Sequence, residues 1–270
     1  MEALTPTALT LPPAVAKLQI KLDSGGHKAG QGEACIMEVV AMLAGERFSD
    51  HPECTDPAIG AFCRTFWDRT PRSWQGLLDR VDRIAGSAAG DELAKARRYL
   101  AADWAARRFA PRWLRRLDLV TDAERLEQLA PVVDAKSAKA ATNAAKGIRE
   151  LVNRRYYDAM ERLRKAAGAA GAAWAAEAAW AAEAAEAAGA AEAAGAAWAA
   201  WAAWAAGAAE AAWAADIDWS KVKAMSYYDA KTYFRTLIRP HIEKALAATI
   251  DESIAEGFAL LDAMLDLKAA

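Results

Sequence analysis

All three cysteines and two of the three histidines fall between residues 27 and 63 of this 270-residue chain. Thiolate and imidazole are the side-chain groups that ligate zinc, and a structural zinc takes four such donors. His27, Cys35, His51 and Cys54 supply that number, with Cys63 as a further donor. His51 and Cys54, three apart around Pro52, make a plausible ligand pair in a loop, whereas His27 and Cys35 are eight apart and share no finger-like spacing. The same residues can be read as an activated nucleophile. Cys35 would lie at a helix N-terminus, where the thiolate is favoured, with His27 or His51 as its base and Glu38 or Asp50 orienting the imidazole. The plainer reading makes Cys35 and Cys63 small buried helix residues and gives His51 to a cap or a loop turn. The glycines between Gly25 and Gly32 form neither a phosphate-binding loop with its lysine-serine pair nor GxGxxG after a strand.

A second constellation is basic. Residues 91 to 116 carry eight lysines and arginines against Asp91, Glu92 and Asp103, with Trp104 and Trp113 interleaved. Such a helix can meet a phosphate backbone through Arg107, Arg108, Arg112 and Arg115. Against this stands a net charge of −2, which lets Arg97 and Arg108 pair with acids elsewhere and leaves the tryptophans to the core. The cluster of Arg154, Arg155, Arg162, Arg164 and Lys165 reads as a solvated helix face.

The third is a repeat. From Lys165 to Asp216 every third residue is variable, drawn almost wholly from Trp, Glu and Gly, and all the rest are alanine. Alanine is the best helix former and a poor strand residue, so the tract reads as helix. A period of three steps the variable positions by about 300° around an α-helix, so no heptad seam forms. Trp198, Trp201 and Trp204 still share an arc of about 120°, and Trp180 falls within it. Burying one such side chain removes about 150–250 Å² from water, so this arc calls for a partner surface. The competing reading is a spacer grown by slippage of a short DNA repeat. Glu177, Glu183, Glu186, Glu192 and Glu210 argue against a membrane span.

The elements that would position these groups are helical. The pattern predicts a Thr/Pro-rich disordered arm over residues 1–13, a short extended segment at Leu18 to Leu22, and a helix from Glu33 to Ala44 ended by Gly45. Asp56 and Pro57 open a helix carrying Ile59, Phe62, Cys63, Phe66 and Trp67, and Ser73 caps another running through Ile84. A long basic helix from Asp91 should stop at Phe109, before Pro111. Thr121 and Glu124 read as a capping box for a helix to Leu129. Helix resumes near Ser137 and feeds the repeat, and residues 227–238 and 240–267 read as two more helices.

Several of these segments, in this order, resemble an uncharacterised family of actinobacterial and actinophage proteins: Gly25-Gly26-His27, Ala34-Cys35-Ile36-Met37-Glu38, Asp50-His51-Pro52-Glu53-Cys54, the run Arg97 to Trp104, and Pro111-Arg112-Trp113-Leu114. Its members are similar also in an alanine-rich, short-period tract downstream. The resemblance spans about residues 15 to 215 and implies no activity.

The chain is therefore expected to be all-α. A helical domain would occupy residues 14–135, a long helix including the repeat 136–216, and C-terminal helices packing back on it 217–270. Residues 1–13 lack the basic and apolar regions of a signal peptide, and an odd cysteine count fits a reducing cytoplasm. The function expected first is non-catalytic: self-association or binding of a protein partner through the Ala/Trp helix, in the cytoplasm and away from membranes. Next comes a zinc-supported or cysteine-dependent enzyme centred on residues 27–63, then a DNA-associated regulator using residues 91–116.

Overall fold

The structure is a computed structural model that describes residues 9–23, 25–64, 73–167, 218–226, 229, 233, 236 and 239–268. Helices dominate them, joined by one two-stranded parallel pairing. No helix among the described residues is long and apolar enough to cross a membrane. The chain divides into two compact units, Met1–Ala101 with Ile254–Ala270, and Ala102–Ser253.

In the first unit, residues 9–13 of the expected arm are tied down. Thr10 donates its N–H to Gln75 Oε1 at 2.8 Å, its carbonyl accepts from Gln75 Nε2 at 3.1 Å, and Pro13 opens α1 (Pro13–Ala16). Strands β1 (Lys21–Leu22) and β2 (Glu33–Ala34) pair in parallel, Lys21 opposite Glu33 and Leu22 opposite Ala34. The loop between them is short for a parallel connection. Positive φ at Gly25 (92°), Gly30 (82°) and Gly32 (75°) bends it back, a conformation L side chains rarely adopt.

Strand β2 runs into α2 (Ile36–Leu43), whose residues Ile36 to Ala41 are all buried, so this helix is the centre of the unit. It packs on α1, β2, α4 (Trp74–Leu78) and α5 (Val81–Ala85). It ends as the sequence implies, at Gly45 with φ 71°. Gly45 N–H bonds Met42 O and Glu46 N–H bonds Ala41 O, the two bonds of a Schellman motif. Helix α3 (Pro57–Phe62) opens at Asp56, whose carboxylate accepts the N–H groups of Ala58 and Ile59. Phe66 and Trp67 lie outside the described residues. The single helix expected from Ser73 to Ile84 is two short ones, α4 and α5, and Ser73 makes no side-chain cap bond.

The basic helix departs from expectation. Helix α6 (Asp91–Trp104) does not stop before Pro111; it passes through a π turn at Ala105–Phe109 into α7 (Ala110–Arg116). Proline has no N–H and its ring collides with the carbonyl four residues back, and a locally widened turn relieves both problems. The π turn also changes which residues meet. Positions five apart on an α-helix stand about 140° apart, yet Trp104 and Phe109 ring centroids lie 4.8 Å apart, with Trp113 next at 6.2 Å from Phe109.

Helix α8 (Val120–Glu127) starts one residue before Thr121 with Leu119 as N-cap and no side-chain cap bond, so the expected Thr121–Glu124 box does not form. Helix α9 (Ala135–Ala167) is instead capped by Asp134, whose Oδ1 accepts the Ser137 N–H at 2.7 Å. Its buried positions Ala138, Ala141, Ala145, Ile148 and Val152 alternate three and four apart, one apolar stripe. Helix α9 packs on α8 and on α10 (Trp219–Lys223). Helix α11 (Arg239–Asp266) closes the chain; the expected repeat helix beyond residue 167 and most of residues 227–238 lie outside the described residues.

Candidate functional site

The parallel pair and α2 place His27 against Glu38. Glu38 sits in the first turn of α2 and is 2% exposed, an expensive place for a carboxylate unless its oxygens are satisfied. They are: Oε2 accepts the Cys35 N–H at 2.7 Å and meets His27 Nδ1 at 2.8 Å, and Oε1 accepts the His27 N–H at 2.7 Å. The first is one bond of a capping box and brings negative charge to a helix N-terminus, where the backbone dipoles favour it. With its oxygens already accepting two backbone N–H groups, the carboxylate is set to accept a hydrogen bond from His27 Nδ1–H. Nε2 is the ring nitrogen that Glu38 does not engage.

The four residues proposed as zinc ligands are not brought together. The metal-sized cluster of His, Cys, Asp and Glu among the described residues joins His27 to Asp23 and Glu33. His51 is exposed and its Nδ1 meets Asp50 Oδ1 at 2.7 Å. Cys54 lies in the loop after α2, held by Glu46, which accepts the Glu53 and Cys54 N–H groups at 2.7 Å each. Burial raises the Cys54 thiol above the ordinary cysteine value, and Glu46 adds to the rise.

The two other cysteines are withdrawn from solvent. Cys35 is 3% exposed and touches the His27–Glu38 pair through its backbone N–H. Cys63 is fully buried, which pushes its thiol up to about 12. Reactive cysteines need thiolate character and access together; burial opposes both at Cys63 and denies access at Cys35. Glu38 and Asp50, named as orienting groups for His27 and His51, do hold those rings. The sequence did not reveal Asp23 and Glu33 as neighbours of His27, because the strand pairing that sets Glu33 opposite Lys21, two residues before Asp23, rests on two residues per strand.

Within the basic segment Arg97, Arg107, Arg112 and Arg115 meet acids of their own unit. Arg97, 3% exposed, donates Nη1 to Asp56 Oδ2 at 2.9 Å and to Ser87 O at 2.6 Å, and Nε to Met264 O at 2.8 Å. Arg107 bonds both Asp103 oxygens, Arg112 pairs with Glu252 at 3.2 Å, and Arg115 forks onto Glu127 at 2.6 and 3.3 Å. Arg116 donates to Ala245 O at 3.0 Å, and Arg108 is exposed. A phosphate backbone would have to compete with these carboxylates, so the row offers less positive field than its composition suggests. Trp180, Trp198, Trp201 and Trp204 lie outside the described residues.

Comparison with protein-family models, curated proteins and solved structures finds no match.

Proposed function

We propose that this is a non-catalytic helical protein of the cytoplasm, phage-associated as its motifs suggest, that assembles with itself or a protein partner through the Ala/Trp helix. The observation that carries the reading is the sequence placement of Trp198, Trp201 and Trp204 on one arc of the repeat, with Trp180 in line. Helix α9 supports it, running unbroken to Ala167 where the repeat is already under way. In this reading the C-terminal helices pack back on the long helix. The burial of Cys35 and Cys63 and the ion pairs of Arg107, Arg112 and Arg115 weigh against a thiol enzyme and a DNA-binding row.

Light scattering across a range of micromolar concentrations, on the full chain and on a Trp198→Ala/Trp201→Ala/Trp204→Ala variant, tests it. The expected result is an oligomer for the parent chain and a lower mass for the variant, with the variant's helicity kept. A parent chain that stays monomeric, with tryptophan emission no redder in the variant, refutes self-association through this arc.

A further inference from the structure

We infer that Asp23, His27 and Glu33 form a binding site for a first-row divalent transition metal, with Glu38 holding His27 in position from behind. This rests on side chains apart from the Ala/Trp helix and stands or falls independently of it.

The three potential ligand atoms lie within 4.8 Å of one another, and all three residues are half-buried. Their backbone is set before any ion arrives. Lys21 N–H bonds Gly32 O at 2.8 Å and Asp23 N–H bonds Ala34 O at 3.1 Å, so Glu33 lies opposite Lys21 and Asp23, two residues on, is its diagonal neighbour across the β1–β2 pairing. The glycine-bent loop carries His27 back to that edge, where Glu38 fixes its N–H and Nδ1.

That last contact distinguishes the cluster from a chance gathering of surface acids. A ligating histidine characteristically gives its other ring N–H to a carboxylate or carbonyl, which sets its tautomer and raises its basicity. Glu38 does this from the core, 2% exposed, and its other bonds keep it there. The His27 side chain itself keeps 10% of its surface. One imidazole nitrogen with two carboxylate oxygens suits zinc, manganese, iron or cobalt better than magnesium or calcium, which favour all-oxygen shells. Ligand atoms around an ion at about 2.0–2.2 Å stand about 3–3.5 Å apart, so binding draws these three together by up to about 1.3–1.8 Å, within the reach of carboxylate rotamers. Water completes the shell.

Lys21 is the competing cation. Its Nζ holds Glu33 Oε1 at 3.1 Å, and the lysine side chain is largely exposed where the glutamate is half-buried. An ion bound to Glu33 would sit near that ammonium, so the lysine should weaken binding.

The test uses the full chain, freed of tags and stripped with chelator, titrated with Co²⁺ by absorption spectroscopy and with Zn²⁺ by calorimetry. The expected result is one equivalent bound. Asp23→Asn and Glu33→Gln should each weaken binding about ten-fold or more, and His27→Ala should abolish it. Glu38→Gln, at a positioning residue, should weaken it about 10–100-fold and shift the Co²⁺ spectrum with helicity retained. Lys21→Met should tighten binding by about two- to five-fold. Asp23→Asn and Glu33→Gln change partly exposed side chains and keep the test valid if His27→Ala fails to fold. A parent dissociation constant weaker than about 1 mM, or binding unchanged in Asp23→Asn and Glu33→Gln, overturns the inference.

Discussion

Arg97 offers the sharpest measurement of how the first unit is held together. Its guanidinium joins the α3 cap at Asp56, the loop at Ser87 and the last turns of α11 at Met264. Asp56 is 0% exposed and Arg97 3%. Truncation in Arg97→Ala strands a buried carboxylate and two carbonyls, and breaking a buried pair from one side costs about 3–5 kcal/mol. Asp56 would keep the Ala58 and Ile59 N–H donors, which places the expectation at the lower end, about 3–4 kcal/mol. Set against a typical domain stability of about 5–15 kcal/mol, that loss is large. Arg97→Lys should fall between, at about 1–3 kcal/mol, because an ammonium cannot fork across three acceptors. The assay is urea unfolding followed by circular dichroism, with Arg115→Ala as control. The Arg115–Glu127 pair is exposed on both sides and should be worth under about 1 kcal/mol. An Arg97→Ala loss below about 1 kcal/mol, or one equal to that of Arg115→Ala, would show that the guanidinium is not the buried anchor described here.

Three further outcomes are expected. Gly76→Ala would gain about 1 kcal/mol of helix propensity, but its Cβ falls on the Phe258 ring, so a net loss of about 1–3 kcal/mol is expected in thermal unfolding; Phe258→Leu should recover most of it. Asp262 is held below the ordinary carboxylate value of 3.8, first by its hydrogen bond to Arg80 and then by Arg83. A depressed folded-state value means its stabilisation is full above 3.8 and fades as pH falls through the lower folded value, so the urea midpoint should drop across that acid window and drop less in Asp262→Asn. Thiol titration of the native chain should modify Cys54 alone, slowly, and all three cysteines once denaturant is added; rapid modification of Cys63 in the native state would contradict its burial.

What could be read from the sequence was whatever a short stretch decides. Asp56 before Pro57 specifies a helix start because a carboxylate and an N–H-free residue solve the same local problem, and Gly45 ends α2 because only glycine takes φ 71° without strain. Burial of Cys35 and Cys63 was legible as the plainer reading of their place beside helices. Contacts made across distance were not. Nothing local in His27, Asp23 and Glu33 announces that they meet, although Glu38 was already legible as a group that could orient the imidazole. Pro111 misled because a proline normally ends a helix, and the π turn that accommodates it is chosen by the packing of Trp104, Phe109 and Trp113. The Thr121 box failed for a related reason: Asp118, in the left-handed region at φ 58°, ends α7 so abruptly that α8 begins at Val120 before threonine can serve as cap.

The π turn also bears on how this chain tolerates changes in length. A wide turn holds about one residue more than the α-helical turn it replaces, so Ala105–Phe109 behaves as an absorbed insertion. Deleting one residue there would restore a regular ladder and leave the later positions near the faces they now hold, whereas the same deletion in a regular turn of the helix would rotate them by about 100° and carry Trp113 and Leu114, both buried, off the core face together. In relatives of this chain a one-residue gap in an alignment of this helix should therefore fall inside Ala105–Phe109 rather than on either side of it.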